Sequence, residues 1–173
     1  MGPLMTIAMK PRLKTTTRRW AAIALILASA AGAAGCGGRS FVPATPPGFL
    51  DLEDRYGDDE YRATTADGVI LGVRVFENKP KGELAFWARS VENRMRDVGG
   101  YALLDTREVQ LRTGLKGTQL RFGHDEAKTP HLYVVSVFVN EERIFLLEAG
   151  GAKDQMAKLM PQIEWSVRNF LPK

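Results

Sequence analysis

The clearest patterning in the chain is alternation at a spacing of two. Residues 60–66 are rich in aromatic and β-branched side chains. Asp67 and Gly68 follow, and residues 69–76 then place Val69, Leu71, Val73 and Val75 on one face. An Asp-Gly pair supplies the positive φ of a tight hairpin, so two antiparallel strands are expected here. From 83 to 98 the period changes. Leu84, Trp87, Ala88, Val91, Met95 and Val98 recur at helical spacing, with charged residues between them. Gly99 and Gly100 then offer the left-handed conformation that ends a helix.

Strand pattern resumes over 101–104 and 108–112, and again over 117–122. Residues 132–139 and 143–148 are apolar at nearly every position and flank a turn around Asn140, Glu141 and Glu142. Such runs fit strands at the centre of a sheet covered on two faces. The polar stretch 123–131, which contains Pro130, reads as a solvated loop. A last helix over 153–171 carries Met156, Leu159, Met160, Ile163, Val167 and Phe170 as its stripe. Pro161 predicts a kink or a fresh start, because proline removes a helical hydrogen bond and clashes with the preceding turn. The order is β-β-α-β-β-β-β-α. That is an α+β fold, with an antiparallel sheet of about six strands flanked by helices in an α/β/α sandwich.

Ahead of this pattern, residues 1–35 hold Lys10, Arg12, Lys14, Arg18 and Arg19 and no acid, followed by an uncharged Ala-rich run. A basic segment before a short apolar core is the pattern of an export signal. The apolar run is short of the ~20 residues that a spanning helix needs. Met1, Met5 and Met9 are each workable starts. Removing the leader takes five of the 24 basic residues and none of the 20 acidic ones, so +4 becomes −1. No basic surplus remains to neutralise phosphates, which excludes nucleic acid as a partner on charge grounds.

The single cysteine, Cys36, closes the run Ala33, Ala34, Gly35. These residues resemble the bacterial lipobox, in which small residues precede a lipid-modified cysteine. The resemblance implies a lipid on Cys36, attachment to a membrane and residence in the cell envelope. The alternative is an ordinary secretory signal cut near Ala34, which leaves a free thiol. Gly37 stands where an Asp favours inner-membrane retention in many Gram-negative bacteria, so in such a cell the outer membrane, facing the periplasm, is expected. Residues 36–50 are Gly-rich, then Pro-rich, and read as a flexible tether, with the folded domain over 51–173.

The element order is similar to that of the PsbP/DcrB-like superfamily. The resemblance is carried by Gly99, Gly100 and Tyr101 after the first helix, Gly117 opening a strand, the 133–148 hairpin, and the close from Ile163 to Phe170. It covers about 60–173 and implies a non-enzymatic binding, accessory or assembly role, with no catalytic residue to carry over.

Candidate chemistry is sparse. His124, Asp125, Glu126 and His131 bring both histidines beside carboxylates, a set able to hold a divalent metal or move a proton. A hydrolase or metal-dependent enzyme using His124 is the rival reading; a solvated loop is the plainer one. The acids Asp51, Glu53, Asp54, Asp58, Asp59 and Glu60 lack the alternating ligand spacing of a calcium loop. No Gly-x-Ser-x-Gly or phosphate-loop sequence occurs, and no cofactor is implied. Trp165 lies about opposite Met156 if the last helix is continuous, which turns an indole outward. A break at Pro161 would reset the phase and pack it inside. With the histidine segment, Trp165 is a candidate contact for a protein or small-ligand partner.

The anchor is directly testable. Intact mass of the membrane fraction should show mature protein carrying lipid at its N-terminus, and Cys36→Ser should leave the chain unprocessed or soluble. A mature protein with an unmodified Cys36 thiol overturns the lipid assignment.

Overall fold

A computed structural model describes residues 38–52, 60–126 and 129–173. The leader, Cys36 and the acids at 53–59 lie outside the described residues, as does the side chain of Glu126. The expected hairpin forms between β3 (Glu60–Thr64) and β4 (Ile70–Glu77), with Thr64 opposite Ile70 and Gly68 at φ +80°. Helix α1 (Leu84–Asp97) follows, and the turn beyond it places Gly100 at φ +68°. Then come β5 (Ala102–Gln110), β6 (Lys116–Glu126), β7 (Thr129–Val139), β8 (Arg143–Ala152) and helix α2 (Lys153–Asn169). Two-residue strands β1 (Phe41–Val42), β2 (Leu50–Asp51) and β9 (Leu171–Pro172) complete the set. The main sheet is antiparallel throughout, in the order β2-β3-β4-β8-β7-β6-β5.

Alternation in the strands sorts their side chains onto two faces. Leu71, Val73, Val134, Phe138, Phe145 and Leu147 point to the α2 side, where Met156, Ile163 and Val167 meet them. Leu120, Phe122, Val135, Val137, Ile144 and Leu146 point to the α1 side, against Leu84, Trp87, Val91 and Met95. Trp87 is half-buried, and its Nε1 donates to Asn78 Oδ1 at 2.9 Å. Val98, expected in the same stripe, is 78% exposed, since the helix has already ended there.

Three expectations need correction. Residues 41–50 are not a free tether, and the domain does not begin at 51. β1 pairs with β9, and Phe41 is 1% exposed against Phe170 at 5.5 Å. Ser166 Oγ donates to the Ala44 carbonyl, and Thr45 Oγ1 bonds the Tyr61 hydroxyl. Prolines disfavour regular structure but leave an aromatic such as Phe41 free to find an apolar slot. The stretch 123–131 is likewise not a loop between shorter strands. β6 continues to Glu126 and β7 starts at Thr129, with His124 opposite His131 and Asp125 opposite Pro130. A polar hairpin end keeps its ladder because backbone pairing does not depend on side-chain polarity.

The last helix neither breaks nor restarts at Pro161. Pro161 is on the exposed face, where the carbonyl it orphans, on exposed Ala157, can turn to water. The expected antiparallel sheet forms, with the two-residue β2 pairing to β3 as its seventh strand.

Phe41 is therefore core, and Phe41→Ala should cost ~3–5 kcal/mol of stability in a denaturant melt. A loss under ~1 kcal/mol would mean that the segment rests on the domain without supporting it.

Candidate functional site

Helix α1 packs on β5, β6 and β7, and α2 packs on β7 and β8 from the other side. Among the described residues no helix packs on the α1 face over β3, β4 and part of β8. Cross-strand register fixes what this bare area presents. Arg62 lies opposite Gly72 and Gly72 opposite Glu148; one row along, Ile70 lies opposite Gly150 and Gly150 opposite Tyr133. Two glycines thus form a floor without side chains, and longer residues rise around it. The result is an open groove of about 400 Å³, with Tyr101 and His131 at its far end.

The walls are held by a polar network. Arg74 Nε donates to Glu148 Oε2 at 2.7 Å and Arg74 Nη2 donates to Glu148 Oε1, a two-pronged pair that fixes both side chains. The Tyr133 hydroxyl also bonds Glu148. Burial, followed by the Glu148 charge and this hydrogen bond, pushes the Tyr133 phenol well up, so it stays a protonated donor. The Arg74 pKa is raised in turn, first by its hydrogen bond to Glu148, so the guanidinium stays charged. It also lies over the Phe76 ring, 5.9 Å from the centroid. Exposed Ile70 lines the groove from β4, so its lining is amphipathic, and exposed Phe76 stands farther along the same strand face.

Glycine is required at 150 for steric reasons. A Cβ there would stand 2.7 Å from Tyr133 Cδ2, because the Tyr133 ring lies across the glycine of the facing strand. Gly117 and Phe138 repeat the arrangement on the α2 face, again as direct cross-strand partners. Gly72 is different: its nearest neighbour is the Tyr61 carbonyl at 3.4 Å, an ordinary contact distance.

The histidines are cross-strand partners, and each ring is held by a different neighbour. His124 stacks on Tyr101 with ring centroids 4.8 Å apart, and its Nδ1 faces the Gly100 carbonyl at 3.3 Å. His131 Nδ1 pairs with the Thr129 carbonyl at 2.9 Å, and the residue lines the groove. Asp125 is exposed and lines a neighbouring cavity with Lys153. Among the described residues no three His, Cys, Asp or Glu side chains gather to hold a metal ion. Trp165 is 44% exposed on α2, on the opposite side of the sheet from the groove.

Sequence reasoning missed Arg62, Gly72, Arg74, Tyr133, Glu148 and Gly150. A signal was present in β4: if Leu71, Val73 and Val75 face the core, Ile70, Gly72, Arg74 and Phe76 share the other face. Pairing them with Glu148 and Tyr133 needed the strand order, in which β4 lies beside β8 and brings together Arg74 and Glu148, 74 positions apart.

No protein-family model matches the chain, and no curated protein matches it. Solved structures do. LpqN of Mycobacterium tuberculosis, involved in cell envelope biogenesis, superposes with a TM-score of 0.56 at 14% identity, over 80% of this chain and 88% of its own. The Ran-binding protein Mog1p of Saccharomyces cerevisiae gives 0.54 at 13% identity, over 76% and 89%. The chain shares its fold with Mog1p and LpqN. A cyanobacterial PsbP from Synechocystis aligns more loosely, at a TM-score of 0.49 and 14% identity, over 80% and 96%. At these identities what is shared is the fold, and the groove residues are argued from this chain alone.

Gly150→Ala should force the Tyr133 ring aside and cost ~1–3 kcal/mol, as over-packing does. Gly72→Ala should stay within ~1 kcal/mol, because its Cβ meets no clash. Denaturant melts compare the two; equal losses would show that Tyr133 is not what demands the glycine.

Proposed function

We propose that this chain is a lipid-anchored, non-catalytic binding protein of the cell envelope, and that the open half of its α1 face receives the partner. The observation that carries the reading is the construction of the groove. A glycine floor, an Arg74–Glu148–Tyr133 network and exposed Ile70 and Phe76 combine a rigid polar framework with apolar contact area. Binding surfaces use that combination: apolar area supplies affinity, and a few fixed polar groups set orientation. Glu148 is committed to Arg74 and Tyr133, so the groove's carboxylate serves as a scaffold rather than as a proton-transfer group.

Anchoring is supported by the basic leader, its short apolar run and the small residues before Cys36. Among the described residues no helix is long and apolar enough to cross a membrane. LpqN, which shares the fold, is an envelope biogenesis protein; Mog1p binds another protein, Ran. Both fit a domain that works by presenting a surface.

The test places a photo-crosslinking amino acid at Ile70 in full-length protein in its native envelope, with the same probe at exposed Leu104 as the off-groove control. Cross-linking should be several-fold stronger from Ile70, and Gly72→Trp, which fills the floor, should abolish it. Equal labelling from both positions, or labelling that survives Gly72→Trp, overturns the groove as the binding site.

A further inference from the structure

We propose that the corner formed by the end of α2 and the β1–β9 ribbon lies on the anionic face of a lipid bilayer. The proposal deepens the anchor reading, because a lipid on Cys36 would leave the domain here. Cys36 stands five residues before buried Phe41, a reach of at most ~18 Å when extended. On so short a lead, the side of the domain bearing β1 must stay close to the headgroups.

That side has the composition of an interfacial surface. Val42 and Leu171 are direct cross-strand partners, and each is 42% exposed. Their chain neighbours Phe41 and Phe170 turn inward and pack together, which obliges these two to point out. Trp165 is exposed on the last turns of α2. The next residue, Ser166, bonds the Ala44 carbonyl and ties that helix end to the segment after β1. Indoles and small aliphatic side chains favour the headgroup boundary, where an apolar body can be buried and an N–H stays hydrated.

Cations surround these apolar residues. Arg168 is one helical turn past Trp165. The Arg112 backbone N–H donates to the Arg168 carbonyl at 2.9 Å, and Arg112 Nη1 donates to Asn169 Oδ1 at 3.0 Å. The Lys173 N–H donates to the Ser40 carbonyl at 2.8 Å, beside Arg39. Among the described residues, none of Arg39, Arg112, Arg168 and Lys173 forms an ion pair with an acid. Of the acids at the margin, Glu164 pairs with Arg107 and Glu77 with Lys79, while Glu108 lines a cavity together with Arg168. Arg143, whose Nη1 faces the Lys173 carbonyl, sits opposite Glu77, while Glu141 and Glu142 lie on the β7–β8 turn and bound the patch. Four unpaired cations in a mature chain of net charge −1 are a local concentration, and basic residues beside a membrane are attracted by anionic headgroups. Their stems can lie along the apolar contact while the charges reach phosphate.

The test uses the mature chain with Cys36→Ser, so that no lipid contributes. It should float with vesicles of phosphatidylglycerol and phosphatidylcholine, stay behind with phosphatidylcholine alone, and be released by 0.5 M salt. Tryptophan emission should shift to the blue on binding, and the shift should vanish in Trp165→Phe. Arg168→Glu with Lys173→Glu should lower partition at least ~10-fold at an unchanged denaturation midpoint. Failure to associate with anionic vesicles, equal association with neutral ones, or an unchanged partition in the double variant overturns the surface. The two readings fail separately: vesicle binding without lipid on the natural protein sinks the anchor and keeps the surface, whereas lipidated protein whose Cys36→Ser form ignores anionic vesicles does the reverse.

Discussion

Coverage is the constraint on which this structure turns. Strands lie about 4.8 Å apart, so seven of them span roughly 30 Å, whereas a helix with its side chains is about 10–12 Å across. One helix can cover two or three strands. The described residues supply one helix for each face, and the two faces resolve the shortage differently. On the α2 side, loop and terminal residues complete the cover: Phe41, Phe49, Leu111, Leu115 and Phe170 all pack into the same cluster as Met156 and Ile163. On the α1 side nothing described completes it, and the strands beyond the helix carry Gly72, Gly150, Arg74 and Glu148, with Ile70 and Phe76 left exposed among them.

Chemistry follows that division. Exposed sheet would be an adhesive surface if it alternated bulky apolar residues. Here the bare area has Gly72 and Gly150 as its floor and the Arg74–Glu148 pair as its framework. Tyr133 joins the two halves. Its ring lies over Gly150 at the edge of the α1 cluster, and its hydroxyl reaches Glu148 in the groove. A change in how α1 packs would be felt at the polar network through this one side chain. A polar chain on the α2 face, buried at Ser136 and Gln119 and open to solvent at Arg107 and Glu164, ties β7, β6 and β5 to α2.

The groove and the ribbon corner belong to opposite sides of the sheet: α2, Phe41 and Phe170 define one, Gly72, Glu148 and Gly150 the other. A domain resting on lipid through its α2 side would hold the groove away from the bilayer, open to a partner in the surrounding compartment. Binding and anchoring then make no competing demand on the same residues, and the sheet is the rigid spacer between them.

Local physics was enough to read the hairpin at Asp67–Gly68, both helices, the central apolar strands and the element order, because each depends on periodicity and turn chemistry within a dozen residues. Tertiary structure alone decided that Phe41 is core, that Pro161 is tolerated, that His124 and His131 face each other across a ladder, and that Trp165 points outward. Phe41 had to find Phe170, 129 residues away; Pro161 had to fall on the exposed face. The groove is the plainest case. Arg74 and Glu148 each look like an ordinary strand charge in sequence, and they become a site because β4 pairs with β8 on the side of the sheet that one helix is too narrow to cover.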